Sequence, residues 1–113
     1  MSVLIDNQQA FLLDFCKLVN FAVSRGFTVT SGELLRTPEQ QKLYVQTGRS
    51  KTMASNHLRK LAGDLNFFLN GVYVTDRKLL VPLGEYWESL HPLNRWGGNF
   101  NNFKDCPHFE RNL

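Results

Sequence analysis

Cysteine is scarce in this chain, which has only Cys16 and Cys106 among its 113 residues. Two cysteines so far apart exclude the disulfide framework that stabilises many small secreted domains. We expect both thiols to be reduced, with Cys16 on the apolar face of a helix and Cys106 inside a functional site. A single disulfide between them is the alternative.

Long apolar runs and blocks of one charge are absent as well. No run approaches the roughly 18 apolar residues of a membrane span, and the N-terminus lacks the basic and apolar segments of an export signal. No five or six like charges follow one another, so no tail for binding nucleic acid is visible. We therefore expect a protein that is made in the cytoplasm without a signal peptide and is not inserted into a membrane.

The composition of the chain fits one globular domain, residues 1–113. Hydrophobic residues are 42% and charged residues 20% of the chain, and nine phenylalanines supply material for a core or an aromatic cleft. The net charge of +3 favours an anionic partner such as nucleic acid, a lipid head group or a cell-wall polymer, without choosing among them.

Hydrophobic periodicity predicts an α+β fold, with helices packed on a small central antiparallel sheet. The predicted elements are, in order, a helix at about 7–24, a strand at 27–31, a helix at 38–47, an exposed loop at 48–55, strands at 61–69 and 72–75, a helix at 82–90, an irregular segment at 94–102 and a strand at 107–110. Alternation in the central strand puts Leu65 and Phe67 on one face and Asp64 on the other. Asn70-Gly71 is typical of a tight hairpin turn.

Two helices are expected to bury one face each. The residues assigned to these faces are Phe11, Leu12, Phe15, Leu18, Val19 and Ala22 in the first helix, and Leu83, Tyr86, Trp87 and Leu90 in the last. Their three- and four-residue spacing is that of an amphipathic helix.

Two short segments carry the groups that can do chemistry. Ser55 to Asp64 contains His57 and Asp64, and the segment near the C-terminus contains Asp105 and His108. Two imidazoles and a carboxylate suit a catalytic zinc with three protein ligands, and a further carboxylate can act as the base. His57 and Asp64 can meet at one ion only if the chain turns between them, at 58–60.

Each of these residues also has a purely structural interpretation. A single histidine is more often a packed or solvated side chain than a metal ligand, and each aspartate could cap a helix or a turn. His91 follows a helix and is interpreted as structural. Arg36 could be a solvated residue before the helix cap at Thr37.

At these segments the sequence resembles the zinc D-alanyl-D-alanine carboxypeptidase and L-alanyl-D-glutamate endopeptidase family, which includes phage endolysins. The family pattern Ser-x-His-x-x-Gly-x-Ala-x-Asp is matched at Ser55, His57, Ala62 and Asp64, and its acidic residue three before a second His at Asp105 and His108. Similar segments elsewhere are Thr30-Ser31-Gly32 with Arg36 to Gln41, Trp96-Gly97-Gly98 and Pro107-His108-Phe109-Glu110. Lys60 departs from the pattern, because it stands where the family has Gly.

The resemblance implies a fold like that of the hedgehog and D-Ala-D-Ala peptidases, and a role for each matched residue. His57, Asp64 and His108 would bind Zn²⁺, and Asp105 would be the general base. Arg36 would bind a substrate carboxylate or stabilise the oxyanion, and Ser55 would support the motif by hydrogen bonding. Trp96 would wall the substrate cleft, with a position in the core as the alternative.

The resemblance further implies a peptidoglycan peptidase, with the L-Ala-D-Glu endopeptidase of endolysins as the expected activity. A D-Ala-D-Ala carboxypeptidase is the alternative. A third hypothesis is a non-catalytic module that binds the wall or a nucleic acid through Arg49-Ser50-Lys51 and Arg59-Lys60. The enzyme is expected to be a monomer with no nucleic-acid partner, which reaches the stem peptide of the wall after holin-type release.

Overall fold

The computed structural model describes residues 3–48 and 55–113. Its elements are α1 (Val3–Ser24), β1 (Thr28–Ser31), α2 (Pro38–Gln46), a 3₁₀ turn (Asn56–Arg59), β2 (Ala62–Leu69), β3 (Val72–Tyr73), α3 (Arg77–Leu90), β4 (Asn94–Trp96), a second 3₁₀ turn (Gly97–Asn99) and β5 (His108–Arg111). The α+β prediction is confirmed. The loop predicted at 48–55 lies, apart from its two ends, outside the described residues.

The strands form one antiparallel sheet in the order β1-β2-β5-β4, and β3 pairs with the far end of β2. The Asn70-Gly71 hairpin is confirmed, since both residues have positive φ, 52° and 77°. In the register of β2 and β5, Asp64 stands directly opposite His108. Cross-strand pairing thus brings together two residues that are far apart in the sequence.

The hydrophobic core lies between one face of the sheet and the helices α1 and α3. Alternation in β2 follows the prediction: Leu65 and Phe67 are buried, whereas Asp64 and Asn66 on the other face are only partly so. The other buried apolar side chains of this core include Phe11, Phe15, Leu18 and Ala22 of α1, Leu80, Leu83 and Trp87 of α3, and Trp96 and Phe109. The opposite face of β2 is therefore open to carry polar groups.

The prediction for α1 was wrong in three details. Leu12 is 57% exposed and Cys16 is also exposed, although both were assigned to the apolar face. The core contacts a narrower stripe of α1 than the apolar pattern suggests, because α3 covers only one side of it. The helix also begins at Val3 rather than near residue 7.

The predicted start of α3, at residue 82, was too late, because the helix begins at Arg77. Asp76 caps the helix by accepting a hydrogen bond from the Lys78 N–H at 3.0 Å, and Pro82 lies inside the helix rather than at its first turn. Tyr86 and Leu90 are partly buried against the core instead of fully buried. No helix of the described part of the chain is both long and apolar enough to cross a bilayer.

The segment predicted as irregular, 94–102, contains a strand. Its asparagines and glycines have low strand propensity, but β4 pairs with β5 over three residues. A buried network supports this pairing: the Arg111 guanidinium donates to Asp14 of α1 and to Asn94, and Asn94 also donates to Asp14. These tertiary contacts override the local preference.

Candidate active site

Three side chains meet at the polar face of the sheet: His57, Asp64 and His108. Asp64 Oδ1 lies 3.3 Å from His57 Nε2 and 3.3 Å from His108 Nδ1. The two ring nitrogens are 3.1 Å apart. These three atoms, two from strands and one from a turn, thus form a nearly equilateral triangle.

The 3₁₀ turn places His57 at this triangle. Ser55 caps the turn by accepting a hydrogen bond from the His57 N–H at 3.3 Å, and Lys60 ends it in the left-handed conformation, φ 57° and ψ 35°. The predicted turn between His57 and Asp64 is therefore present. Lys60 adopts the conformation for which glycine is suited, at a cost of roughly 1–2 kcal/mol for an L-residue.

A second hydrogen bond fixes each imidazole ring. His57 Nδ1 lies 3.0 Å from the Leu34 carbonyl oxygen, which can only accept, so Nδ1 carries the proton and Nε2 has the lone pair. His108 Nε2 lies 2.6 Å from a carboxylate oxygen of Glu110, so Nε2 carries the proton and Nδ1 has the lone pair. Both lone pairs face the centre of the triangle, as in the carboxylate–histidine–metal arrangements of zinc proteins.

The triangle fits a zinc ion. Ligands about 2.0–2.1 Å from a tetrahedral zinc lie roughly 3.3 Å from one another. Asp64 Oδ1 is buried and makes no hydrogen bond within the described residues. Two imidazole nitrogens and one carboxylate oxygen that face each other could hold a metal ion, and two N and one O donors are a normal zinc ligand set.

The pKa values of Asp64 and His108 reflect how close these groups lie to one another. Burial would raise the pKa of Asp64, but contacts with His108 and His57 lower it to about 2. Burial would lower the pKa of His108, but the nearby carboxylates of Asp64 and Glu110 raise it to about 9. In the absence of a metal, the Asp64 carboxylate therefore stays ionised at neutral pH and His108 binds a proton beside it.

Asp105 lies at the edge of the same cleft. Its backbone N–H donates to the Gly97 carbonyl at 2.9 Å, and its carbonyl accepts from the His108 N–H at 3.0 Å. A Cβ atom at Gly97 would come within 2.1 Å of the Asp105 carbonyl oxygen, so only glycine permits this approach. Burial raises the pKa of the Asp105 carboxyl, although the charges of His108, His57 and Arg36 oppose the shift. A raised pKa suits a carboxylate that accepts and returns a proton.

Arg36 stands on the other side of the cleft, in the segment 32–36. This segment is tied to two residues of the triangle by its backbone: Asp64 N–H donates to the Glu33 carbonyl at 2.8 Å, and Arg36 N–H donates to the His57 carbonyl at 3.3 Å. The Arg36 side chain is 11% exposed and lines the cleft. The structural alternative of a solvated arginine is therefore wrong.

The structure also shows where Trp96, Cys106 and His91 lie, and of these only Cys106 departs from the expectation. Trp96 is 1% exposed and its indole N–H donates to the Cys106 carbonyl at 2.8 Å, so it belongs to the core, and it also lines the cleft. Cys106 packs against the core and lines a separate cavity, not the site. His91 Nδ1 accepts the Leu93 N–H at 3.1 Å, which is a structural role.

Sequence reasoning missed several residues of the cleft, which has a volume of about 940 Å³. Glu110 orients His108, and Arg95 donates to Glu110 at 2.6 and 3.0 Å. Glu33 and Tyr44 surround Arg36. The one available signal was the spacing of Glu110, two residues after His108, which puts both side chains on the same face of a strand.

Comparisons with known proteins identify the family of this chain. The family model described as D-alanyl-D-alanine carboxypeptidase, of the M15 peptidases, matches residues 48–111. The L-alanyl-D-glutamate peptidase of Listeria phage A118 is 35% identical over 102 residues, which cover 85% of this chain. They cover 34% of the phage protein, so the chain spans about a third of its length.

The fold has a counterpart among solved structures. The L-Ala D-Glu endopeptidase ChiX of Serratia marcescens superposes with a TM-score of 0.71 over 94% of this chain and 84% of ChiX, at 24% sequence identity. This likeness establishes the shared fold. Because the family model covers more than half of the sequence, including every residue of the ligand triangle, the chain belongs to the D-alanyl-D-alanine carboxypeptidase family of M15 peptidases.

Proposed function

We propose that this protein is a zinc-dependent peptidase that hydrolyses the L-Ala–D-Glu bond of the peptidoglycan stem peptide. The observation that carries the proposal is the triangle of His57 Nε2, Asp64 Oδ1 and His108 Nδ1, with both rings fixed so that their lone pairs face the centre. Such a set holds one zinc and leaves room for a further, non-protein ligand.

The protein residues have separate roles in this proposal. Bound zinc supplies a Lewis acid that polarises a carbonyl group and lowers the pKa of water toward 7. Asp105 removes a proton from the attacking water and returns it to the leaving amine as the C–N bond breaks. Arg36 donates a hydrogen bond to the carbonyl oxygen, where negative charge develops. Ser55 holds Arg36, whose Nη1 donates to its hydroxyl at 3.3 Å.

The similar proteins support the choice of bond. The phage A118 protein and ChiX are both named for the L-Ala–D-Glu linkage. The family description names a D-alanyl-D-alanine carboxypeptidase instead, which makes that activity the second candidate. In this proposal residues 1–113 form one peptidase domain that acts as a monomer on the bacterial cell wall and reaches the wall by holin-type release.

The deciding experiment is digestion of purified peptidoglycan by the zinc-loaded protein, with a chelated sample as control. Mass analysis of the fragments should find new amino termini on D-Glu. Release of terminal D-Ala alone would establish the carboxypeptidase instead. No fragment at all, together with no zinc bound, would overturn the proposal and favour a non-catalytic wall-binding module.

The role of Asp105 is tested by Asp105→Asn. This variant keeps the size of the side chain but cannot accept the proton, so the rate should fall by about 10²–10⁴-fold. Zinc affinity, measured by competition with a chromogenic chelator, should change little, because Asp105 is not one of the three ligands. A full wall-lytic rate in Asp105→Asn would refute the assignment of the base.

A further inference from the structure

Glu33 contacts both sides of the cleft. Its backbone carbonyl accepts the N–H of Asp64, one residue of the ligand triangle, at 2.8 Å. Its side-chain Oε1 accepts the Nε–H of Arg36, and its Oε2 accepts the hydroxyl of Tyr44 at 2.9 Å. One residue thus joins the strand that carries a metal ligand to the arginine that faces the substrate.

The other contacts of Arg36 leave one nitrogen available. Its Nη1 donates to Gln41 Oε1 at 2.6 Å and to Ser55 Oγ at 3.3 Å, and its Cζ lies 4.7 Å from the centre of the Tyr44 ring. Nη2 has no hydrogen-bond partner among residues 3–48 and 55–113. The guanidinium is therefore held on two of its three nitrogens and offers the third to a single oxygen, rather than a two-pronged clamp to a carboxylate.

We propose that Glu33 is a positioning residue for the peptidase reaction: its carboxylate, oriented by Tyr44, fixes Arg36 so that Nη2 meets one substrate oxygen beside the metal ligands. This inference rests on the proposed function. A charged acceptor holds an arginine more firmly than a neutral one, because a charge-assisted hydrogen bond is roughly twice as strong. Positioning to within about 0.5 Å is what such supporting residues contribute to catalysis.

The test compares Glu33→Gln with the matched control Glu39→Gln. Both remove one negative charge from the same part of the chain, but Glu39 is an exposed residue of α2. In Glu33→Gln, kcat on peptidoglycan should fall about tenfold, which is within the range of coupling between directly contacting residues. The KM and the zinc affinity should stay within about twofold. Glu39→Gln should match the wild type, and Tyr44→Phe should give a smaller decrease in kcat.

A double-mutant cycle separates positioning from a general structural effect. In the Arg36→Ala background, Glu33→Gln should cause no further decrease in kcat, because there is no guanidinium left to hold. An equal tenfold decrease in both backgrounds would overturn the inference. So would a wild-type rate in Glu33→Gln alone.

A measurement without substrate provides an independent readout. In ¹H–¹⁵N NMR spectra of the zinc-loaded protein, the Arg36 Nε–H should exchange slowly with water in the wild type and in Glu39→Gln, and at least tenfold faster in Glu33→Gln. Equal exchange in all three would overturn the inference. A wild type that releases no fragment from peptidoglycan would refute the proposed function and the inference with it, whereas an active wild type with an unaffected Glu33→Gln would refute the inference alone.

Discussion

The two walls of the cleft are built by different interactions. The metal wall, defined by His57, Asp64 and His108, is positioned by a capped turn and by the backbone pairing of β2 with β5. The arginine wall, defined by Glu33, Arg36, Gln41 and Tyr44, is joined to the metal wall by backbone hydrogen bonds, but its guanidinium is held by bonds between side chains. Removing a side chain from the metal wall should therefore remove the ion but leave the backbone frame. Removing one from the arginine wall should leave the ion and reduce the rate.

Asp64→Ala should have the largest effect, because it removes one of three ligands. Zinc affinity should fall by more than the roughly 10–100-fold that the loss of an outer hydrogen-bond partner costs, and peptidase activity should disappear. The fold should persist, since Asp64 Oδ1 makes no hydrogen bond among the described residues. Zinc competition and circular dichroism measure the two effects. Retained zinc in Asp64→Ala would show that the triangle is not the metal site.

Arg36→Ala should reduce the rate without releasing the metal. Loss of one donor to a developing oxyanion costs roughly 10²–10³-fold in kcat. The zinc affinity should stay close to that of the wild type, because the guanidinium of Arg36 donates to Glu33, Gln41 and Ser55 and not to the side chains of the metal wall. Steady-state kinetics and zinc competition on the same preparation make the comparison. A large loss of zinc would mean that the two walls are not independent.

Glu110→Ala should lower the zinc affinity of the metal wall without removing a ligand. Glu110 fixes the proton on His108 Nε2, and outer partners of this kind are worth about 10–100-fold in metal affinity. Burial would raise the pKa of Glu110, but His108 and Arg95 lower it, so the group is an ionised acceptor. The control is Glu85→Ala, which removes an exposed acid from α3. Zinc titrations that give equal affinities for both variants would contradict this role.

Lys60→Gly should have the smallest effect and should increase stability. Glycine relieves the left-handed strain at φ 57°, but it also increases the entropy of the unfolded chain. The net increase in the free energy of unfolding should be about 0.5–1 kcal/mol. Asn70→Gly is the control, because Asn70 has a similar φ of 52° but tolerates it better, and should gain less. Chemical denaturation measures both. A destabilised Lys60→Gly would show that the lysine side chain contributes to the turn.

The sequence predicted the central features of the fold through local patterns. Alternation in β2 separated the buried Leu65 and Phe67 from Asp64, and the positive φ of Asn70 and Gly71 followed from their residue types. β4 could not be predicted, because its pairing with β5 and the buried Arg111–Asp14 contact override weak strand propensity. The exposure of Leu12 and Cys16 depends on where α3 packs, which a helical pattern does not contain.

For the candidate site, the sequence by itself determined which residues could supply chemistry and that the chain must turn between His57 and Asp64, because a straight strand or helix keeps them apart. Only the tertiary structure decided which nitrogen of the His57 ring faces the centre, since the Leu34 carbonyl comes from a segment 23 residues away. The His108 ring is oriented locally, by Glu110 two residues later on the same strand. The tertiary structure also decided that Glu33 holds Arg36, and that Trp96 lies in the core. Residue type fixes what a group can donate or accept, whereas the direction in which it does so depends on contacts between segments that are far apart in the chain.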